Sequence, residues 1–161
     1  ELDASGGALV AAGVGARSAD HLIFVQPDGI LGLAAAGVVA TLLPVAAFYL
    51  KLPRFAPARA LVAAGVPVAI ATDMSPGGGL SASMPFAMAL ACFGMHMTVE
   101  EAVIAATINA AFAIDRHDRV GSLEAGKQLD AVIVRGDLVD LLRVGAPVIT
   151  HVVKKGQVVA C

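Results

Sequence analysis

Cysteine is nearly absent: the 161 residues hold only Cys92, inside an apolar run, and Cys161, the last residue. Two thiols so placed make no CxxC motif, no metal-ligand spacing and no disulfide framework, so a reduced chain is expected rather than a disulfide-stapled secreted domain. Charge is sparse too. Charged residues make up 15% of the chain, the formal net charge is -2, and no helix shows a basic stripe, which removes the electrostatic footprint of a nucleic-acid binder. No two histidines stand at ligand spacing, so the chain alone offers no three- or four-ligand metal site. The opening Glu1-Leu2-Asp3 lacks the basic start and apolar core of a signal peptide, and a cytoplasmic location is expected. A long internal repeat and a low-complexity linker are also missing.

Apolar residues are what the chain has. They reach 58% with a mean hydropathy of +0.81, above the roughly 45–50% of ordinary soluble domains. Such a surplus suits a piece whose faces pack against further protein. With 161 residues the chain can hold a sizeable core, yet it is short of the about 250 residues of a complete eight-stranded α/β barrel. Residues 29–50 carry no formal charge and reach the about 20 residues of a membrane span. Gly32, Gly37 and Pro44 interrupt them, however, and they divide into a helix and a buried strand, so no membrane partner is expected.

The pattern alternates helix and strand. Residues 6–15, rich in small residues, predict a helix, and residues 17–24 a short strand and loop. Pro27 and Asp28 open a helix over 29–36 that Gly37 stops, and the β-branched run 38–43 ends at Pro44. Pro57 opens the next helix through residue 64, Gly65 stops it, and residues 66–72 form a second strand apolar on both faces, the mark of a parallel sheet. Helices follow over 84–93 and 99–114, the second capped by Thr98 with Glu100 and Glu101 at its positive end. From Val120 the character changes to short strands at 130–134, 148–153 and 158–159, with a hairpin signal at Lys155-Gly156-Gln157.

Asp73 is the leading candidate for chemistry. It follows the strand 67–72 directly, and a carboxylate at a strand's carboxyl end can ligate a metal or accept a proton from an attacking water; the alternative is a turn-capping Asp before Pro76. His21, after Ser18-Ala19-Asp20, reaches the same rim and can polarise a carbonyl, unless it is a satisfied core histidine. Gly77 and Gly78 bring backbone N–H groups within reach of an anion or simply make a tight turn. Ser75 has no base beside it and is a poor nucleophile. His96 reads as structural, His117 as a solvated loop residue and His151 as partly exposed in the last strands.

Four segments carry a resemblance: Ser18-Ala19-Asp20-His21-Leu22; Ala71-Thr72-Asp73 with Pro76-Gly77; Thr107-Ile108-Asn109-Ala110-Ala111; and Val120-Gly121-Ser122-Leu123-Glu124-Ala125-Gly126-Lys127-Gln128. Together they resemble the carboxyl-terminal portion of the imidazolonepropionase family of metal-dependent amidohydrolases. The resemblance implies an α/β fold: part of a (β/α)8 TIM barrel, strands six to eight with their helices, over residues 1–118, then carboxyl-terminal strands of a small β-sandwich domain over residues 119–161. It implies one zinc or iron ion, with Asp73 as a metal ligand and the other ligands outside these residues. By the same resemblance Glu1 acts on the substrate ring, since Glu1 and His21 are twenty positions apart as in the family, and Ser75, Gly77 and Gly78 join Glu1 in holding the substrate.

The implied reaction is hydrolysis of 4-imidazolone-5-propanoate to N-formimidoyl-L-glutamate in histidine degradation. Asp73 would accept the proton of the attacking water, His21 would steady the oxyanion, and Glu1 would shuttle a proton to the ring nitrogen. A homodimer of the full-length enzyme, or pairing with the other barrel half, is the implied assembly. Ser75 where the family has Asn, Gly78 where it has a hydroxyl residue, and Ile23 where an acid commonly follows are departures. They leave open another amidohydrolase, a cyclic-amide hydrolase or deaminase. A non-catalytic half-barrel that pairs through open sheet edges is the remaining alternative.

Overall fold

The computed structural model describes residues 2–160, so Glu1 and Cys161, and with Glu1 one expected site residue, lie outside the described residues. Three helix-to-strand units come first: α1 (Gly7–Gly13) with β1 (Ser18–Asp20), α2 (Pro27–Ala36) with β2 (Val39–Leu42), and α4 (Ala58–Ala63) with β3 (Val68–Ile70). Each helix ends the same way. After α2 the Gly37 amide bonds to Ala34 O at 3.3 Å and the Val38 amide to Leu33 O at 3.0 Å; after α4, Gly65 and Val66 repeat this on Val62 and Leu61. Gly37 and Gly65 take φ of 66° and 78°, which lets the chain turn back without a Cβ penalty. The residue just past each of these two glycines is buried in the same core cluster as the helical residue whose carbonyl it bonds, Val38 with Leu33 and Val66 with Leu61.

The strands form one parallel sheet in the order β1-β2-β3, with Asp20 beside Thr41 and Thr41 beside Ala69. Alternation puts Ala40, Leu42, Val68 and Ile70 on the face that meets α2, α4 and α5 (Met84–Met95) in the main core. Val39 and Ala69 point the other way, onto Ala113 and Ala110 of α7 (Ile108–Ala113). Leu33, Leu42 and Leu61 are fully buried. A buried leucine contributes roughly 1.5–3 kcal/mol, so these three anchor the helices to the sheet.

Several expectations need correction. The strand expected over 66–72 narrows to Val68–Ile70, although ladder bonds run on at Pro67 O and the Ala71 amide. Pro44 does not merely end β2: it starts a further helix, α3 (Pro44–Tyr49), as its fixed φ allows at a first helical position. The single helix over 99–114 is two, α6 (Val99–Ala106) and α7, broken at Thr107, whose hydroxyl donates to Val103 O at 2.6 Å while its backbone leaves the helical region (φ -121°, ψ -94°). Thr98 does cap α6, in a reciprocal box with Glu101, and Arg59 grips the same Glu101 at 2.7 and 2.8 Å, tying α4 to α6. Among the described residues no helix is long and apolar enough to cross a membrane.

The remaining chain makes a three-stranded antiparallel sheet, β4 (Ala131–Val134), β5 (Ile149–Lys154) and β6 (Gln157–Ala160), with a 3-10 turn at Leu138–Leu142. Lys155 and Gly156 both take positive φ, 52° and 78°, the two-residue hairpin signature. Asp130 pins this hairpin: it accepts from the Lys154 ammonium at 2.5 Å and the Lys155 amide at 2.8 Å, which hold its carboxyl down at about 2. Leu141, Val134 and Ile149 pack on the main core. The apolar surplus surfaces as Leu9 and Val10 on α1, Val14 just after it and Phe93 on α5, all exposed.

Candidate functional site

The parallel strands end level with one another. The His21 amide, just past β1, donates to Thr41 O at 3.0 Å, and the Ala71 amide, just past β3, donates to Leu42 O at 3.1 Å. His21 and the segment leading to Asp73 therefore flank the end of β2, two strand spacings or roughly 10 Å apart. The carboxyl edge of a parallel sheet is where α/β proteins place their chemistry.

Asp73 stands at the mouth of a closed turn. The Gly79 amide donates to Asp73 O at 3.0 Å, the Ser75 amide to Gly79 O at 3.0 Å and the Gly78 amide to Ser75 O at 3.3 Å. A Cβ on Gly78 would lie 3.0 Å from Asp73 Oδ2 and 3.3 Å from Ser75 Oγ, so carboxylate and hydroxyl converge over one bare stretch of backbone. A Cβ on Gly79 would lie 2.5 Å from Thr72 O and 2.8 Å from Asp73 O. Helix α3 backs the turn through Val45 and Ala46. Gly77 is exposed, and the Gly78 amide is engaged within the turn.

His21 is half-buried with its Nδ1 shielded from solvent. Beside it on β2, the Thr41 hydroxyl is also shielded and meets no hydrogen-bond partner among the described residues. His21, Leu22 and Asp73 take φ of 66°, 56° and 50°, a left-handed region that non-glycine residues enter rarely and that clusters at functional sites. The other histidines lie elsewhere. His96 caps the end of α5 and is exposed, and His151 is exposed beside Thr150. His117 is not a solvated loop residue: it is half-buried, 4.4 Å from the Phe112 ring and 3.4 Å from the Arg17 guanidinium.

Three contributors escaped the sequence reading. Gly79 was hidden as the third of a glycine run, and α3 was masked by reading Pro44 as a stop. Asn109, quoted only as part of a motif, donates through Nδ2 to Val68 O at 2.9 Å and so fastens α7 to the strand that leads to Asp73.

A catalytic zinc takes three protein ligands and a water. Among the described residues no three His, Cys, Asp or Glu side chains converge to hold a metal, so Asp73 by itself does not fit a metal centre. A cleft of about 390 Å³ opens beside β1 between Asp20, Leu22, Phe24 and Asp28; neither His21 nor Asp73 lines it.

Comparison with known proteins fits this geometry. The chain is 54% identical over 133 residues to the imidazolonepropionase of Shouchella clausii, covering 83% of this chain and 30% of that protein. It is 46% identical over 159 residues to that of Parabacteroides distasonis, covering 98% of this chain and 38% of that one. The chain thus spans about a third of the length of the curated relatives it matches. Among solved structures, a zinc-bound adenosine deaminase from Xanthomonas campestris superposes with a TM-score of 0.81 at 25% identity, over 92% of this chain and 38% of that chain. A triazine hydrolase variant superposes with a TM-score of 0.79 at 21% identity, over 91% of this chain and 36% of that one, a likeness of fold. The model of the Amidohydrolase family matches residues 18–159, nearly the whole sequence, and the chain belongs to that family.

Proposed function

We propose that this chain is the carboxyl-terminal part of an imidazolonepropionase, hydrolysing 4-imidazolone-5-propanoate to N-formimidoyl-L-glutamate in the cytoplasm. The observation that carries the reading is the 46–54% identity to imidazolonepropionases across 83–98% of the chain. On this reading β1, β2 and β3 are barrel strands six to eight within residues 1–118, and residues 119–161 belong to a small β-sandwich domain. Asp73 is one ligand of a zinc or iron ion whose other ligands lie outside this chain.

The chain's own residues divide the work by position. The Asp73 carboxylate, fixed by the closed turn, accepts the proton of the water that attacks the ring carbonyl. The His21 ring, across the end of β2, donates a hydrogen bond to the oxygen on which charge develops. Ser75, Gly77 and Gly78 line the place where the substrate carboxylate sits, with Ser75 Oγ the one hydroxyl donor of the three. Glu1 is assigned the proton shuttle to the ring nitrogen. The intact enzyme works as a homodimer, and a chain limited to these residues pairs with the missing barrel half.

The test is hydrolysis of 4-imidazolone-5-propanoate by the intact enzyme carrying this chain, with adenosine and a cyclic amide as competitors. Turnover of the imidazolone alone is expected. Preference for adenosine or the other amide assigns the site to a different amidohydrolase. The 161-residue chain alone is expected to bind zinc weakly and to show no hydrolysis, and turnover by it without an added partner contradicts the division of ligands.

A further inference from the structure

The chain leaves β1 through two successive left-handed residues, neither of them glycine: His21 at φ 66° and Leu22 at φ 56°. The Leu22 amide closes back on Asp20 O at 2.9 Å, a three-residue turn whose positive-φ form is rare and strained. The sheet does not demand this. Its ladder fixes only the His21 amide, on Thr41 O, and leaves open the direction in which the chain departs. Local preference alone would send a His-Leu pair onward in extended or right-handed backbone.

What opposes that preference is the burial of Leu22. Its side chain is 8% exposed and sits in the main core with Ile23, Ile30 and Leu33, while its carbonyl accepts from the Val25 amide at 3.2 Å. With the backbone at 21 and 22 left-handed the leucine reaches that core, so its anchor is coupled to the conformation of the residue before it. We infer that Leu22 is a positioning residue for His21: its buried side chain holds the pair left-handed and so sets the His21 ring at the sheet's carboxyl edge. This rests on the proposed reading of His21 as the group that meets the developing oxyanion.

The experiment is a two-background comparison in the intact enzyme that carries this chain. Leu22→Ala is expected to lower kcat about 100-fold, the order expected when a reacting group is misplaced by about 1 Å, with KM changed far less. Added to His21→Ala, the same substitution is expected to cost nothing more. Equal losses in both backgrounds would mean that Leu22 only supports the fold, and overturn the inference. Leu22→Met, which refills the core, is expected to restore most of the activity, and the milder truncation Leu22→Val carries the same comparison if Leu22→Ala does not fold. A crystal structure of the Leu22 variant reads the cause independently of substrate. His21 leaving the left-handed region supports the inference and an unchanged His21 φ overturns it, even if the imidazolone proves not to be the substrate.

Discussion

Replacing Gly121 with alanine is predicted to destabilise the protein by about 2–5 kcal/mol, from two separable causes. Gly121 sits at φ 96°, where an L side chain is strained at about 1–2 kcal/mol. Its Cβ would also lie 2.7 Å from Ala111 Cβ, 3.0 Å from Ile108 Cα and 3.1 Å from Thr107 O. Carbon atoms pack best at roughly 3.5–4.0 Å, so the new methyl intrudes by about 1 Å. Ala111 is buried in α7 and cannot yield without moving that helix, and such overpacking costs about 1–3 kcal/mol. Gly126 supplies the control: φ is 92° but nothing lies within 4 Å of its Cβ, so Gly126→Ala pays the backbone cost alone. Urea denaturation of both variants at constant m isolates the packing cost as their difference. A loss of 3 kcal/mol would lower Tm by about 6–12 °C in a domain of this size. If Gly121→Ala is no worse than Gly126→Ala, the account of how the 119–161 segment seats on α7 is wrong.

Two other predictions test the links to the site and the second sheet. Asn109→Ala should cost about 1–3 kcal/mol, because it strands the buried Val68 carbonyl, and hydrogen exchange of β3 amides should quicken; unchanged exchange would show that α7 does not hold the strand. Asp130 is held at about 2 when folded, below its ordinary value near 4, so its contribution is present above the unfolded pKa and is lost as pH falls through about 4 to 2. Acid titration of the hairpin amides by NMR should show this loss, and Asp130→Asn should remove that part of the pH dependence; an identical acid transition in the variant would refute the assignment.

The repeated helix-to-strand units were legible because each is punctuated by a glycine with positive φ, followed in the second and third units by a β-branched residue that buries at once, as at Gly37-Val38 and Gly65-Val66. The hairpin at Lys155-Gly156 and the Thr98 box were legible for the same reason. What the sequence hid depends on distant partners. Pro44 is equally at home after a strand and at the head of a helix, and α3 finds its packing partners later in the chain, in the turn after Asp73 and in α5, where Phe48 meets Phe86. Thr107 breaks a helix whose pattern is otherwise continuous, where its carbonyl meets Gly121 fourteen residues on. At the site, Asp73 and His21 were visible as strand-end residues, but their left-handed backbone was not.

The most direct measurement is imidazolone hydrolysis by the intact enzyme carrying this chain, with and without Asp73→Asn. The account predicts turnover by the parent and a loss of about 10²–10⁴-fold in kcat in the variant, the range expected when a positioned proton acceptor is removed. An Asp73→Asn enzyme that retains the parent rate would contradict it.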